Sequence, residues 1–202
     1  MFEDILESNT KKFVENIKGS DFPPLTYLAG GTAIALQIGH RKSFDLDFFT
    51  PTEFKENQWE QKFVQDWDFK IIQRDWQTLT GEIKNIKFSL FYYKYKLINQ
   101  ILKFKNISIA SLEDLSAMKL DTIISRSTKR DFIDIYYLAK KFGMNKLFKF
   151  YEDKYGNLEE KELMIKKALL YFDEADLDEM PNMLIDTDWN MVKKFFKTNI
   201  TQ

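Results

Sequence analysis

The stretch LAGGTAIALQIGHRKSFDLDFFT, residues 28–50, contains two adjacent glycines, a short apolar run and two alternate aspartates. The apolar residues before Gly30 and around Asp47 predict two short strands. Between them, TAIALQIG predicts about two turns of helix that end at Gly39. Because side chains alternate between the faces of a strand, Asp45 and Asp47 are predicted to project from the same face. The stretch therefore predicts a strand–helix–strand unit that presents two carboxylates together.

This pair of carboxylates and the adjacent glycines favour a site for a metal ion and a phosphate. Mg²⁺ prefers one or two carboxylates and completes its coordination with water and phosphate oxygens, so Asp45 and Asp47 are candidate metal ligands. Gly30 and Gly31 stand between strand and helix, where backbone N–H groups and a helix N-terminus capped by Thr32 cradle a phosphate. A lone Asp-x-Asp is usually a solvated strand face, and only its combination with the glycines favours the site.

The composition is that of a globular protein. The chain has 202 residues, of which 44% are hydrophobic, so disorder caused by low hydrophobicity is excluded. Its 30 basic and 31 acidic residues nearly cancel, and an RNA partner would therefore need a local basic surface. Cysteine is absent, the N-terminal sequence is acidic, and no run approaches about 20 apolar residues. These features predict a cytoplasmic protein without a membrane partner.

Strand patterns come first along the chain and helical patterns follow them. One helix is predicted over residues 2–17. In residues 69–109, FKIIQ, TLTGEI, NIKFSLFYYKY and LKFKNISIA predict strands that extend the first sheet. Ser111 then begins a helix as its N-cap, with Asp114 at the capping-box position, and further helical segments continue to the C-terminus. Sheet followed by helices predicts an α+β fold.

Charged residues in the two helical segments after Ser111 form a second candidate group. On a helix, Lys119 and Arg126 fall near one face, from which both can reach triphosphate oxygens. Asp131 and Asp134 lie near the start of the next helix, again on one face. The ordinary alternatives are a solvated Lys119 and an Asp131 that stabilises its helix through the helix dipole.

Two other polar residues of the opening stretch have predicted roles. Ser43 lies two residues before Asp45, on the same predicted strand face, and is a candidate ligand of the terminal phosphate. The only histidine, His40, follows Gly39. We expect it to make a helix-cap or loop hydrogen bond rather than to act as a general base, although its usual pKa would suit that chemistry.

Two segments also carry a family resemblance. GGTAIALQIGHRKSFDLDFF resembles motif I of the nucleotidyltransferase superfamily that includes DNA polymerase beta, and most closely the AbiEii/AbiGii toxin family. LSAMKLDTIISRSTKRDFIDIYYLAKKFG is similar to that family's later Lys and Arg-Asp-Phe-x-Asp segment. The resemblance implies a minimal nucleotidyltransferase fold, a mixed β-sheet with flanking helices, followed by a helical C-terminal region. We therefore predict an α+β domain over residues 1–110 and a helical region over 111–202 that packs on it.

The resemblance implies Mg²⁺- or Mn²⁺-dependent transfer of a nucleoside monophosphate from an NTP to a tRNA or protein acceptor. It also implies the toxin of a type IV toxin–antitoxin, or abortive-infection, system with an antitoxin encoded nearby. Lys119 would steady phosphate, and Asp131 or Asp134 would position an acceptor hydroxyl or a basic partner. The predicted catalytic residues are Asp45, Asp47, Lys119, Asp131 and Asp134, and the predicted nucleotide-binding residues are Gly30, Gly31, Thr32, Ser43 and Arg126.

One strand departs from the superfamily pattern. NIKFSLFYYK has Ser89 where a third carboxylate is expected, and no Asp or Glu occurs between Lys84 and Asn106. In a two-metal mechanism such a carboxylate helps to activate the incoming hydroxyl. The sequence leaves open one-metal chemistry, a base supplied by Asp131 or Asp134, and a catalytically degenerate nucleotide-binding or protein-interaction module.

Overall fold

The computed structural model describes residues 1–200, so residues 201 and 202 of the predicted helical region lie outside the described residues. The strands are β1 (Tyr27–Ala29), β2 (Leu46–Thr50), β3 (Lys70–Asp75), β4 (Thr78–Ile83), β5 (Ile86–Tyr92), β6 (Leu102–Phe104) and β7 (Ile107–Ile109). They form one sheet in the order β3-β4-β5-β2-β1-β7-β6.

The α-helices are α1 (Ser8–Asn16), α2 (Gly30–Ile38), α3 (Glu56–Trp67), α4 (Leu112–Ser125), α5 (Lys129–Phe142), α6 (Met144–Tyr155), α7 (Leu158–Leu170), α8 (Asp173–Leu177) and α9 (Trp189–Ile200). Two single turns of 3₁₀-helix span Glu3–Ile5 and Gly19–Asp21. Within the described part of the chain, no helix combines the length and the apolar character needed to cross a membrane.

The sheet is mixed. Strand β1 pairs antiparallel with β2 and parallel with β7, and β2 pairs parallel with β5. The other pairs are antiparallel. The predicted α+β fold, a mixed sheet with flanking helices and a helical C-terminal region, is confirmed.

The two faces of the sheet have different neighbours. On one face Phe48 of β2 and Phe88 of β5 pack with Phe63 of α3 in a cluster of aromatic rings. Alternate residues of the same strands, Asp47 and Ser89, lie on the other face, since neighbouring positions of a strand point to opposite sides. Helices α2 and α4 contact each other on that side, where they line cavities with Asp47. The register thus directs the polar residues of β2 and β5 away from the aromatic core.

Two local predictions were wrong. Residues 2–17 do not form one helix, because Leu6 and Glu7 are extended between the first 3₁₀ turn and α1. Buried residues on both sides of this break, such as Ile5 and Phe13, produced a periodicity that resembled a continuous helix. Helix α3 was not predicted; its sequence is mostly polar, and Phe63 is its one fully covered position.

The predicted start of α4 is confirmed. The Ser111 hydroxyl accepts a hydrogen bond from the Asp114 backbone N–H at 3.1 Å. The Asp114 carboxylate pairs with the buried Lys154 ammonium of α6 at 2.7 Å and accepts the backbone N–H groups of Ile98 and Asn99. The beginning of α4 is therefore fixed to α6 and to the loop that leaves β5.

Candidate active site

The two aspartates of the opening stretch lie together where β2 begins. In the register of the sheet, Asp47 lies between Ala29 of β1 and Ser89 of β5, and Asp45 directly precedes β2. The side chain of Asp45 is 37% exposed. Ser89, and not a carboxylate, therefore stands directly beside Asp47 on the parallel strand.

The charge of Asp47 is only partly compensated. Burial raises the pKa of the Asp47 carboxyl above its ordinary value, and the negative charge of Asp45 raises it further. A hydrogen bond with the Ser89 hydroxyl and the charge of Lys119 act in the opposite direction but do not cancel the rise. A cation bound between Asp45 and Asp47 would relieve both the burial of this charge and the repulsion.

Gly30 allows the Asp47 carboxylate to approach the start of α2. Its φ is +68°, and a Cβ at this position would lie 2.7 Å from Asp47 Oδ2. Both observations favour glycine, since a side chain would be strained in this conformation and would press on the carboxylate. Helix α2 begins at Gly30 itself, so the N–H groups of its first turn lie beside the aspartates.

The prediction that Thr32 caps α2 was wrong. Ala29 is the N-cap and makes no side-chain cap hydrogen bond. The Thr32 hydroxyl instead donates to the main-chain carbonyl of Asp45 and lies 2.8 Å from Ser43 Oγ. Thr32 thus ties the first turn of α2 to the residues that lead into β2.

Asp134 is the centre of a buried ion cluster. Its fully buried carboxylate lies 2.8 Å from Arg41 Nε, 2.9 Å from Arg41 Nη2 and 2.9 Å from Lys119 Nζ. The His40 ring donates from Nε2 to Asp134 at 2.8 Å. The cluster joins the loop between α2 and β2 to α4 and α5.

Asp131 extends this cluster toward the aspartates of β2. Its Oδ1 lies 2.6 Å from Lys119 Nζ, and its Oδ2 accepts from the Thr128 hydroxyl at 2.6 Å and from Arg126 Nε at 3.2 Å. Both oxygens of Asp131 therefore have cationic partners. The prediction that Asp131 and Asp134 share a face of one helix agrees with their common contact to Lys119.

The contacts within the cluster favour the charged forms of Asp134 and Lys119. Burial raises the pKa of Asp134, but the charges of Arg41 and Lys119 outweigh it and hold this pKa well below its ordinary value. Burial lowers the pKa of Lys119, but Asp134 and Asp131 outweigh it and raise the pKa overall. Lys119 thus remains a fixed positive charge despite its burial.

The expectation that the His40 side chain makes a helix-cap or loop hydrogen bond was wrong. Gly39, with φ +75°, ends α2 and donates its N–H to the Ala35 carbonyl at 2.7 Å, so His40 is not the cap. The His40 ring is buried and bonds a side chain from a distant helix, Asp134, rather than its own loop. Its Nδ1 has no hydrogen-bond partner among residues 1–200.

Sequence reasoning did not select three cations near the aspartates. Arg41 is 4% exposed and fixed by Asp134, Arg130 Nη1 lies 3.8 Å from Asp45 Oδ2, and the exposed Lys87 precedes Ser89 by two residues on β5. The spacing of Lys87 and Ser89 would have placed both on one strand face. The contacts of Arg41 with Asp134 and of Arg130 with Asp45 bridge distant parts of the sequence, so local spacing could not predict them.

The predicted residues border two adjoining cavities. A polar cavity of about 160 Å³ is lined by Gly31, Thr32, Arg41, Ser43, Asp45, Asp47, Lys87, Ser89, Lys119, Arg126, Arg130 and Asp131. A larger cavity of about 310 Å³ is lined by Gly30, Ile34, Asp47, Phe49, Phe91, Leu115, Met118, Lys119, Thr122, Ser125 and Arg126. Asp47, Lys119 and Arg126 border both, and Asp134 is the one predicted site residue that borders neither.

The donor set fits a hard divalent cation that shares its coordination with a substrate. Among the residues that the structure describes, no group of three or more His, Cys, Asp or Glu side chains is arranged to hold a metal. Asp45 and Asp47 supply two carboxylates, which is the number Mg²⁺ takes when phosphate oxygens and water complete its shell. Burial of Asp47 beside the negative charge of Asp45 disfavours two ionised carboxylates at this place, and a divalent cation would offset that cost.

Comparison with known proteins establishes the family. The model of the nucleotidyl transferase AbiEii toxin of type IV toxin–antitoxin systems matches residues 92–201, which is more than half of the chain. The chain belongs to this family. The match includes α4 and α5, with Lys119 and Asp131, and begins after the aspartates of β2. The nucleotidyltransferase fold and the toxin family predicted from the sequence are thus confirmed.

Three similar proteins can be compared with this AbiEii family member. The chain is 34% identical over 185 residues to an uncharacterized protein of Aquifex aeolicus, covering 87% of this chain and 86% of that protein. JHP933 of Helicobacter pylori matches with a TM-score of 0.56 at 18% identity, over 99% of this chain and 89% of its own. MenT4, a nucleotidyltransferase toxin of Mycobacterium tuberculosis, matches with a TM-score of 0.55 at 14% identity. This match covers 88% of the present chain and 75% of MenT4. At these identities the two structures show a shared fold.

Proposed function

We propose that this AbiEii family member is a Mg²⁺-dependent nucleotidyltransferase, which moves a nucleoside monophosphate from an NTP to an acceptor and acts as the toxin of its system. The observation that carries the proposal is the pair Asp45 and Asp47 beside the glycine start of α2. This pair faces a cavity whose other walls include Lys119, Arg126 and Arg130. Carboxylates for a metal and cations for phosphates thus border the same space.

Asp45 and Asp47 would hold the metal. When bound there, Mg²⁺ would neutralise charge on the phosphate oxygens and so make the phosphorus more susceptible to attack by the acceptor. Mn²⁺ is the alternative ion for the same oxygen donors.

The residues of the chain itself would bind and orient the triphosphate. Gly31 and the first-turn N–H groups of α2 border the polar cavity, where a helix N-terminus favours an anion. Lys119 supplies a positive charge that its buried partners keep in place. The side chain of Arg126 is 63% exposed and can turn toward the phosphates. Ser43 and Thr32 border the same cavity and would contact the terminal phosphate.

We assign positioning roles to Asp131 and Asp134 rather than the role of general base. Their oxygens already accept hydrogen bonds from cationic side chains, and Asp134 does not border either cavity. Their contribution would be to hold Lys119 and Arg41 in place. Catalysis would then depend mainly on the placement of reactants and on charge neutralisation, which are large terms in phosphoryl transfer.

Exposed cations around the site favour an RNA acceptor such as tRNA. Lys42, Lys87, Arg126 and Arg130 are all exposed near the aspartates, although the whole chain carries a net charge of −1. A local basic surface of this kind contacts the phosphate backbone of RNA. A protein acceptor is the second candidate. An antitoxin encoded nearby would complete the system.

A catalytically degenerate module is the competing function, and Ser89 is the observation that favours it. Ser89 stands beside Asp47 at the strand position where a third carboxylate would lie closest to the metal pair. Such a module would keep nucleotide binding and lose transfer. The distinction therefore requires a transfer assay.

The test is incubation of the protein with each α-³²P-labelled NTP, Mg²⁺, and either total tRNA or a cell lysate. We expect label on an acceptor, and we expect Asp47→Asn to abolish it. Asp153→Asn, on the surface of α6, is the matched control and should transfer normally. Binding of NTP by the wild type without any labelled acceptor would favour the degenerate module, and normal transfer by Asp47→Asn would contradict the assignment of the metal pair.

A further inference from the structure

The larger of the two cavities contains more space than the phosphates and the metal require. It encloses about 310 Å³, within the range of small-molecule sites, and it joins the polar cavity at Asp47, Lys119 and Arg126. Its remaining lining is mostly apolar. A ligand whose charged end lies against the aspartates would therefore place an uncharged end here.

Two aromatic side chains form one wall of this cavity. Phe49 of β2 and Phe91 of β5 are paired in the register of the sheet, and their ring centroids are 5.2 Å apart. Both are half-buried, so each ring keeps accessible surface. Phe49 lies two residues after Asp47, which places the ring about 7 Å along the strand from the carboxylate and on the same face.

The opposite wall is formed by apolar side chains, which would not pair with a charged group of a ligand. Ile34 of α2, with Leu115 and Met118 of α4, lines it. The hydroxyls of Thr122 and Ser125 also line it, but they donate to the carbonyls of Met118 and Thr122 in their own helix, at 2.8 and 3.0 Å. The space between the walls therefore suits a flat, weakly polar ring.

We propose that this cavity is the nucleobase subsite, in which the base of the NTP stacks on Phe49 and Phe91 while its phosphates extend toward Asp45 and Asp47. The inference rests on the proposed function for the position of the phosphates. It adds the end of the site that holds the base and identifies Phe91 as a residue that supplies nucleotide affinity. Stacking of bases on aromatic side chains is a recurrent source of such affinity.

The test compares an NTP with inorganic tripolyphosphate, which has the phosphates and no base. Affinities are measured by calorimetry with Mg²⁺, using whichever of ATP, CTP, GTP and UTP the wild type binds most tightly. We expect Phe91→Leu to weaken binding of that NTP about tenfold, because it removes one stacking ring, and to leave tripolyphosphate binding unchanged. Tyr92→Leu is the matched control, because Tyr92 is the next residue of β5 and contacts the exposed Trp76.

The outcomes separate this subsite from the proposed function. Unchanged NTP affinity in Phe91→Leu, or equal weakening of NTP and tripolyphosphate, would overturn the subsite while leaving the metal and phosphate site in place. Equal losses in Phe91→Leu and Tyr92→Leu would also overturn it. If the wild type bound neither ligand, the proposed function would fail and the subsite with it. Thermal melting of both variants would show whether each retains the fold.

Discussion

Asp134→Asn removes the charge at the centre of the buried cluster while keeping the shape of the side chain. In the native protein this carboxylate neutralises Arg41 and Lys119, and it is fully buried. Breaking a buried ion pair by removing one partner costs about 3–5 kcal/mol, since the remaining charge is left uncompensated. Asp131 continues to pair with Lys119, so we expect a loss near the lower limit, about 3 kcal/mol.

The assay is urea unfolding followed by circular dichroism at neutral pH, where a domain of this kind has about 5–15 kcal/mol of stability and the variant still folds. Asp153→Asn is the control, because its carboxylate pairs with Lys149 on the exposed surface at 3.2 Å. Such a surface pair contributes less than about 1 kcal/mol.

The pH dependence of stability provides an independent test of the role of Asp134. The pKa of Asp134 is lower in the folded protein than in the unfolded chain. Its contribution to the free energy of unfolding is therefore complete above the pKa of an unfolded aspartate, and it is lost as the pH falls toward the pKa of the folded state. The stability difference between wild type and Asp134→Asn should therefore be constant from neutral pH to about pH 5 and should shrink below about pH 4. A variant within about 1 kcal/mol of the wild type at neutral pH would refute the cluster as a source of stability.

Two further predictions concern the metal pair. Ser89→Asp places a third carboxylate beside Asp47, so we expect the metal-free protein to lose about 1 kcal/mol of stability through charge repulsion. We also expect Mg²⁺ to raise the melting temperature of this variant more than that of the wild type. An equal rise in both proteins would contradict this prediction. Mg²⁺ binding should weaken on acidification at a pH above the ordinary range of an aspartate, because the pKa of Asp47 is raised and the ion needs the ionised form. A calorimetric titration at several pH values measures it, and weakening only below pH 3.8, the ordinary pKa of an aspartate, would disagree with the burial of Asp47.

The opening stretch predicted its own structure because its signals are local. Alternation on a strand placed Asp45 and Asp47 together, and Gly39 marked the end of α2. The helical period that followed Ser111 likewise predicted α4 and α5. These signals depend on residues only a few positions apart, so a single sequence contains them.

Features that depend on distant contacts were not predictable in the same way. His40 and Arg41 meet Asp134 from 94 and 93 positions away, and nothing in their neighbourhood indicates the partner. Thr32 bonds Asp45 across 13 positions, although a local pattern favoured a cap. Helix α3 forms on a largely polar segment, from which Phe63 and Trp67 both contact the aromatic core.

The most direct test of the central claim is whether Mg²⁺ is required for this protein to bind an NTP, and whether Asp47 is required for that effect. Calorimetry with each of the four NTPs would be run with Mg²⁺ and with EDTA, on the wild type and on Asp47→Asn. We predict that at least one NTP binds the wild type in a Mg²⁺-dependent manner and that Asp47→Asn loses this dependence. NTP binding that is equally tight with EDTA, or unchanged in Asp47→Asn, would contradict the account.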